Sequence, residues 1–248
     1  ISTSDFSAVD YNRAGVALIE IVSEPDMRSA EEARAYMENL KAILEYTDVC
    51  DCKMQEGSLR CDANVSIMPE GSTEFGTRVE IKNLNSFRAL VRAIEYEVER
   101  QKEVLAEGGR LIQETRTWDD ANGCTLSMRN KETAEDYRYF PDPNVMPVVI
   151  DDEWFNSIQS SLPEFPEVKR ERYINEIGLS EYDADQLIKS IAICECFEDA
   201  YAVCGSAKDS ANWLISECMN ILNSRQMSYD MLNVDGKALG KLIKLVSD

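Results

Sequence analysis

The chain has 248 residues, enough for one large domain or two ordinary ones, and its 44% hydrophobic and 29% charged composition is that of a folded protein. It contains no histidine, which removes Ser-His-Asp and Cys-His catalysis, histidine general bases and histidine metal ligands from this chain. The formal net charge of −20 opposes bulk nucleic-acid binding but leaves room for local basic strips, because charges screen over about 8–10 Å.

No run approaches the roughly 18 apolar residues of a membrane helix, and no signal peptide is visible. The first residue is Ile1 rather than Met, so the chain is expected to be a piece of a longer protein. Its eight cysteines include two C-x-C pairs, Cys50/Cys52 and Cys194/Cys196, and no C-x-x-C. Most have apolar neighbours and read as small core residues of a protein in a reducing cytoplasm.

In chain order, Gly15 to Ser23 is a β-branched apolar run holding one charge, Glu20. It reads as a strand, with Glu20 partly buried and needing a cation, either from an ion pair or from a metal. Ser29 and Glu32 form a capping box that opens a helix, with Ala33, Tyr36, Met37, Leu40 and Leu44 on one face. Leu59 to Met68 alternates with period 2, and so does Thr77 to Lys82; with the Gly- and Ser-rich turn between them they predict a hairpin. Its polar face offers Arg60, Asp62, Asn64, Glu80 and Lys82. That pattern suits either a solvated face stitched by ion pairs or a polyanion-and-metal site, and the spacing leaves both open.

Ser86 caps a long helix from Phe87 to about Glu107, stopped by Gly108 and Gly109. Arg110 to Ile150 reads as strands and loops, with turns at Asn122-Gly123 and Pro141-Asp142-Pro143. Arg116, Arg129, Lys131 and Arg138 form a cationic set, the last flanked by Tyr137 and Tyr139, suited to phosphate contact or to plain surface packing. After Ile150 the pattern changes to short helices, among them Ala184–Ile191, Ala211–Leu222 and Lys237–Val246. A domain boundary is expected near Ile150–Asp152. Neither a P-loop nor a Rossmann glycine motif occurs.

Several long motifs stand in order. They are Val9-Asp10-Tyr11-Asn12-Arg13, Leu18 to Asp26, Glu56 to Ser66, Glu80-Ile81-Lys82-Asn83-Leu84-Asn85-Ser86-Phe87, Gln113-Glu114-Thr115-Arg116 and Asp136 to Pro143. Together they resemble the GatB/GatE family of tRNA-dependent amidotransferases, densely from Val9 to Ile150 and more loosely to Asp248. The resemblance implies an α+β fold: a partial catalytic domain over 1–150 with a glutamine-synthetase-like antiparallel sheet. An all-α domain over 151–248 would follow, running into a YqeY-like tRNA-binding region. It implies a ligase that phosphorylates the side-chain carboxylate of Glu-tRNA(Gln) or Asp-tRNA(Asn) with ATP and Mg²⁺. Ammonia from the amidase GatA then displaces the phosphate in a GatCAB heterotrimer with the small partner GatC. Glu20 matches a family metal-ligand position, and Asp62 a polar position near the ammonia path. Arg60, Glu80 and Lys82 match family motif residues, with Arg60 and Lys82 expected on anionic groups and Arg116, Arg129, Lys131 and Arg138 on the nucleotide. Ala17 and Gln55 depart from the usual Pro and Glu. The family's metal-binding His and a further acidic ligand would lie upstream of Ile1, and its tRNA-gripping tail beyond Asp248, so the fragment alone is expected to be inactive. The competing readings are a ligase acting on a free small molecule and a non-catalytic tRNA-binding scaffold.

Overall fold

The computed structural model describes residues 10–12, 14–130, 146–227 and 231–247, the side chains of 129 and 130 excepted. Helix α1 (Ala30–Tyr46) starts at the expected cap: Ser29 Oγ accepts the Glu32 N–H at 3.1 Å, and the Glu32 carboxylate reaches back to the Arg28 N–H at 2.5 Å. Two otherwise unpaired backbone donors are thereby satisfied.

The strands are β1 (Ala63–Val65), β2 (Val79–Lys82), β3 (Glu114–Asp119) and β4 (Cys124–Asn130), side by side in that order. The expected hairpin exists, antiparallel with Asn64 opposite Glu80, but its ladder is shorter than the alternation suggested. Gly76 brings the connecting loop back against Ile67, where a Cβ would fall 2.0 Å from the carbonyl oxygen. Only glycine permits that approach.

The expectation of an antiparallel sheet needs correction. β2 and β3 run parallel, Glu80 opposite Thr115, and the sheet is mixed. The reason is the 20-residue helix α2 (Phe87–Ala106) between them, long enough to carry the chain back to the end from which β2 started. α2 covers one sheet face. Met37, Val65, Ile81, Leu84, Ala89, Leu90, Ala93 and Trp118 make the core there.

A second correction concerns Gly15 to Ser23. The segment forms no strand, and its apolar side chains face solvent, Leu18 at 88% and Val22 at 81% exposure. An apolar β-branched run becomes a strand only where a neighbouring edge offers a ladder, and among the described residues no strand pairs with it.

From Asp152 onward every regular element among the described residues is helical. These are α3 (Asp152–Ser161), α4 (Pro166–Asn175), α5 (Glu181–Leu187), α6 (Ile191–Cys204), α7 (Ala207–Asn212), a π-helical turn (Trp213–Cys218), α8 (Met219–Ser224) and α9 (Gly236–Ser247). The helix expected over Ala211–Leu222 is thus interrupted by the π turn. α9 lies close on α6 because Gly236 and Gly240, one turn apart, carry no side chain. A Cβ on either would come within 2.6 Å of a carbonyl oxygen of α6, Cys196 or Ala200.

The helical core holds Tyr173, Leu187, Ile193, Phe197, Leu214 and Ile243, and also Tyr46 from the end of α1. The Tyr46 hydroxyl donates to the Ile188 carbonyl at 2.8 Å and lies 3.2 Å from Cys194 Sγ. Helix α1 is therefore packed into both halves of the molecule.

Candidate functional site

The alternation of β2 and β3 sorts their side chains onto two faces with different chemistry. Val79 and Ile81 point into the core, so Glu80 and Lys82 point away from it. Lys82 Nζ lies 2.6 Å from Asp62 Oδ2 and 3.2 Å from Glu80 Oε1. The second oxygen of Glu80 accepts the Thr115 hydroxyl at 2.8 Å. Beyond them Asn83 donates to Thr117 Oγ1 at 2.7 Å, from a backbone with φ of 64° that asparagine tolerates better than most residues. The bond to Asp62 raises the Lys82 pKa, although partial burial opposes it, so the ammonium stays charged. Two carboxylates around one ammonium give the group a net charge of about −1, which favours a small cation over a phosphate.

The start of α2 follows directly on β2 at this end of the sheet, on the helix-covered side. Asn83, Asn85, Ser86, Ala89, Trp118 and Asp120 line a shallow recess of about 180 Å³ at the C-terminal ends of the parallel strands.

The helix-covered side carries a buried ion cluster. Glu97 of α2 has no exposure, and its carboxylate accepts Arg100 at 2.6 and 2.9 Å, Gln101 Nε2 at 2.9 Å and Thr125 Oγ1 at 3.1 Å. Arg116 donates to Glu114 at 2.6 Å and to the Thr125 hydroxyl and carbonyl at 2.7 Å each, and lies 3.6 Å from Glu97. Glu114 also accepts the Ser127 hydroxyl. Burial works to raise the Glu114 pKa, but Ser127 and Arg116 hold it below the ordinary carboxylate value.

The residues read from sequence therefore separate. Asp62, Glu80 and Lys82 meet on the open face, with both acids engaging the lysine. Arg60 is exposed, and among the described residues no contact joins it to that group. Arg116 is on the opposite side, opposite Ile81 in the ladder, with its guanidinium committed to Glu114 and Thr125. Arg129 opposes Thr115 in the β3–β4 ladder, its side chain outside the described residues. Lys131 and Arg138 lie outside them altogether.

Glu20 was expected to be partly buried beside a cation. It is instead exposed, and among the described residues it makes no polar contact. The segment that should have buried it forms no strand, so its charge stays solvated and exerts no demand for a partner. Among the described residues no three Cys, Asp or Glu side chains converge.

Sequence reasoning missed Glu97, Arg100, Gln101, Glu114 and Thr115. A signal existed for two of them: Glu97 and Gln101 continue the helical spacing of the buried Leu90 and Ala93, so α2 was bound to bury them.

The sequence profile of the GatB/GatE catalytic domain matches residues 1–156. The chain belongs to the GatB/GatE family. It is 55% identical over 98% of its length to the B subunit of the aspartyl/glutamyl-tRNA(Asn/Gln) amidotransferase of Caldicellulosiruptor bescii, covering 51% of that protein. The corresponding protein of Thermoanaerobacter sp. (strain X514) is 54% identical over 99% of the chain, with 52% of the relative covered. That of Brevibacillus brevis is 49% identical over the whole chain, again covering 52%. The chain thus spans about half the length of the curated relatives it matches. Among the described residues no helix is long and apolar enough to cross a membrane.

Proposed function

We propose that this chain is part of the transamidating subunit of a cytoplasmic aspartyl/glutamyl-tRNA(Asn/Gln) amidotransferase. The observation that carries the reading is 55% identity, along nearly the whole chain, to a protein of that name. The open-face group of Asp62, Glu80 and Lys82 supports it from the chemistry.

On this reading the whole protein uses ATP to phosphorylate the side-chain carboxylate of glutamate or aspartate misacylated to tRNA. A free carboxylate is a poor acyl donor because oxide leaves badly; an acyl phosphate is not, and the protein's task becomes positioning and charge neutralisation. GatA supplies ammonia from glutamine, GatC completes the heterotrimer, and the amide forms as phosphate leaves. Residues 1–150 belong to the glutamine-synthetase-like catalytic domain and 151–248 to an all-α domain that leads toward a tRNA-binding region.

In this chain Asp62, the most exposed acid of the group, steers ammonium or ammonia. Glu80 and Lys82 hold Asp62 in place and keep the face negative overall. Arg60, Arg129, Lys131 and Arg138 are assigned to anionic groups, phosphate above all. Arg116 is not assigned to phosphate here, because it faces the other side of the sheet, where three of its N–H groups bond Glu114 and Thr125. Mg²⁺ accompanies ATP in this reading, and Glu20 is the residue of this chain proposed to bind it.

The test uses the full-length protein assembled with its partners. Asp62→Asn should lower amide formation on Glu-tRNA(Gln) by about tenfold or more, the rate equivalent of losing one charge-assisted contact. Wild-type turnover by the variant would remove Asp62 from the mechanism.

A further inference from the structure

The open-face group has a buried end. Thr115 is 1% exposed, and from it a chain of contacts runs through Glu80 and Lys82 to Asp62. Side-chain exposure rises along that path: 17% at Glu80, 32% at Lys82 and 44% at Asp62. The buried end is enclosed by the sheet and the other end is open to solvent.

Three features hold Thr115 still. Its neighbours Glu114 and Arg116 turn to the other side of β3, where the ion cluster with Glu97 and Arg100 locks them. A register shift between Thr115 and Arg116 marks a bulge, a device that re-aims side chains. Thr115 is also β-branched and stiff at χ1. Its hydroxyl has one proton to give, and gives it to Glu80 Oε2.

Asp62 lacks any such support from the backbone. It precedes β1 and takes part in no ladder. Lys82, at 2.6 Å, is the contact that ties it to the sheet.

We infer that Thr115 is a positioning residue: it orients the Glu80 carboxylate so that the other oxygen holds Lys82, which in turn sets Asp62 toward the incoming nitrogen nucleophile. The inference rests on the transamidation reading above. Thr115 itself touches no reacting atom.

The experiment uses the full-length heterotrimer with ammonium chloride in place of glutamine. It measures kcat and the ammonium KM of amide formation on misacylated tRNA for wild type, Thr115→Val, Thr115→Ser, Lys82→Ala and Asp62→Asn. Thr115→Val keeps the shape and removes the donor, so the ammonium KM should rise about tenfold, the equivalent of one hydrogen bond to a charged group. Thr115→Ser keeps the hydroxyl and should restore most of the loss, with thermal midpoints of both variants near wild type. If Thr115→Val behaves as wild type while Lys82→Ala and Asp62→Asn are impaired, the positioning role is wrong and the transamidation site stands. If Thr115→Val and Thr115→Ser are equally impaired and both melt early, Thr115 serves the fold alone and the inference is overturned. If all four variants match wild type, the open face is not the site, and the inference falls with it.

Discussion

Glu97→Gln should be the most destabilising conservative change in the sheet half of the molecule. Glu97 is fully buried and neutralises Arg100 at 2.6 Å, with Arg116 3.6 Å away. The substitution keeps the shape and removes the charge. Losing one partner of a buried pair costs about 3–5 kcal/mol. The lower figure applies here, because Glu114 remains 2.6 Å from Arg116 and 3.9 Å from Arg100 and takes up part of their charge. At about 2–4 °C per kcal/mol for a chain of this size, the thermal midpoint should fall by about 6–12 °C. Urea denaturation should show a lower midpoint with an unchanged slope, the mark of a native-state effect. A loss below about 0.5 kcal/mol, the range of ordinary surface substitutions, would refute the claim that this cluster holds α2 to the sheet.

Three further outcomes follow from the same structure. Tyr46→Phe removes the hydroxyl that reaches the Ile188 carbonyl and Cys194, so it should cost about 1 kcal/mol in thermal denaturation; an unchanged midpoint would mean the contact between α1 and the helical half contributes nothing. Gly240→Ala places a methyl 2.6 Å from the Ala200 carbonyl oxygen and should cost about 1–3 kcal/mol, whereas a more stable variant would show that α6 and α9 are not in close contact. Burial works to raise the pKa values of Glu114 and Glu198, but Ser127 and Arg116 in one case, and Lys169, Arg172 and Tyr173 in the other, hold them below the ordinary 4.5. Stability from these two groups is therefore complete above that value and is lost as pH falls through their lower folded-state pKa values; a thermal midpoint flat down to about pH 3 would contradict the assignment.

The local signals were the legible ones. Ser29 and Ser86 mark helix starts because a cap is a contact within four residues, and the structure puts both helices there. That Leu59–Met68 and Thr77–Lys82 form a hairpin was legible from period-2 alternation on both sides of a Gly- and Ser-rich turn, whereas the register and the short ladder were not. The polarity of β3 was not, because it depends on where a 20-residue helix lands rather than on any residue of β3. The burial expected of Glu20 failed for a related reason: apolar neighbours in sequence imply burial only if something packs on them. Arg116 shows the same limit, since a cation grouped with Arg129, Lys131 and Arg138 suits phosphate until Glu114 and Glu97 are known to face it. Thr115 gave no signal of its own, because its role depends on a strand partner 35 residues away.

The most direct test of the central claim follows phosphoryl transfer from γ-labelled ATP to Glu-tRNA(Gln) and Asp-tRNA(Asn) by the full-length protein assembled with its amidase and small partner. The account predicts label on at least one misacylated tRNA, discharged when ammonia is added and with the amide as product. It also predicts that Asp62→Asn still forms the labelled species but discharges it slowly. Absence of label on either tRNA, under conditions where the complex is folded and hydrolyses glutamine, would contradict it.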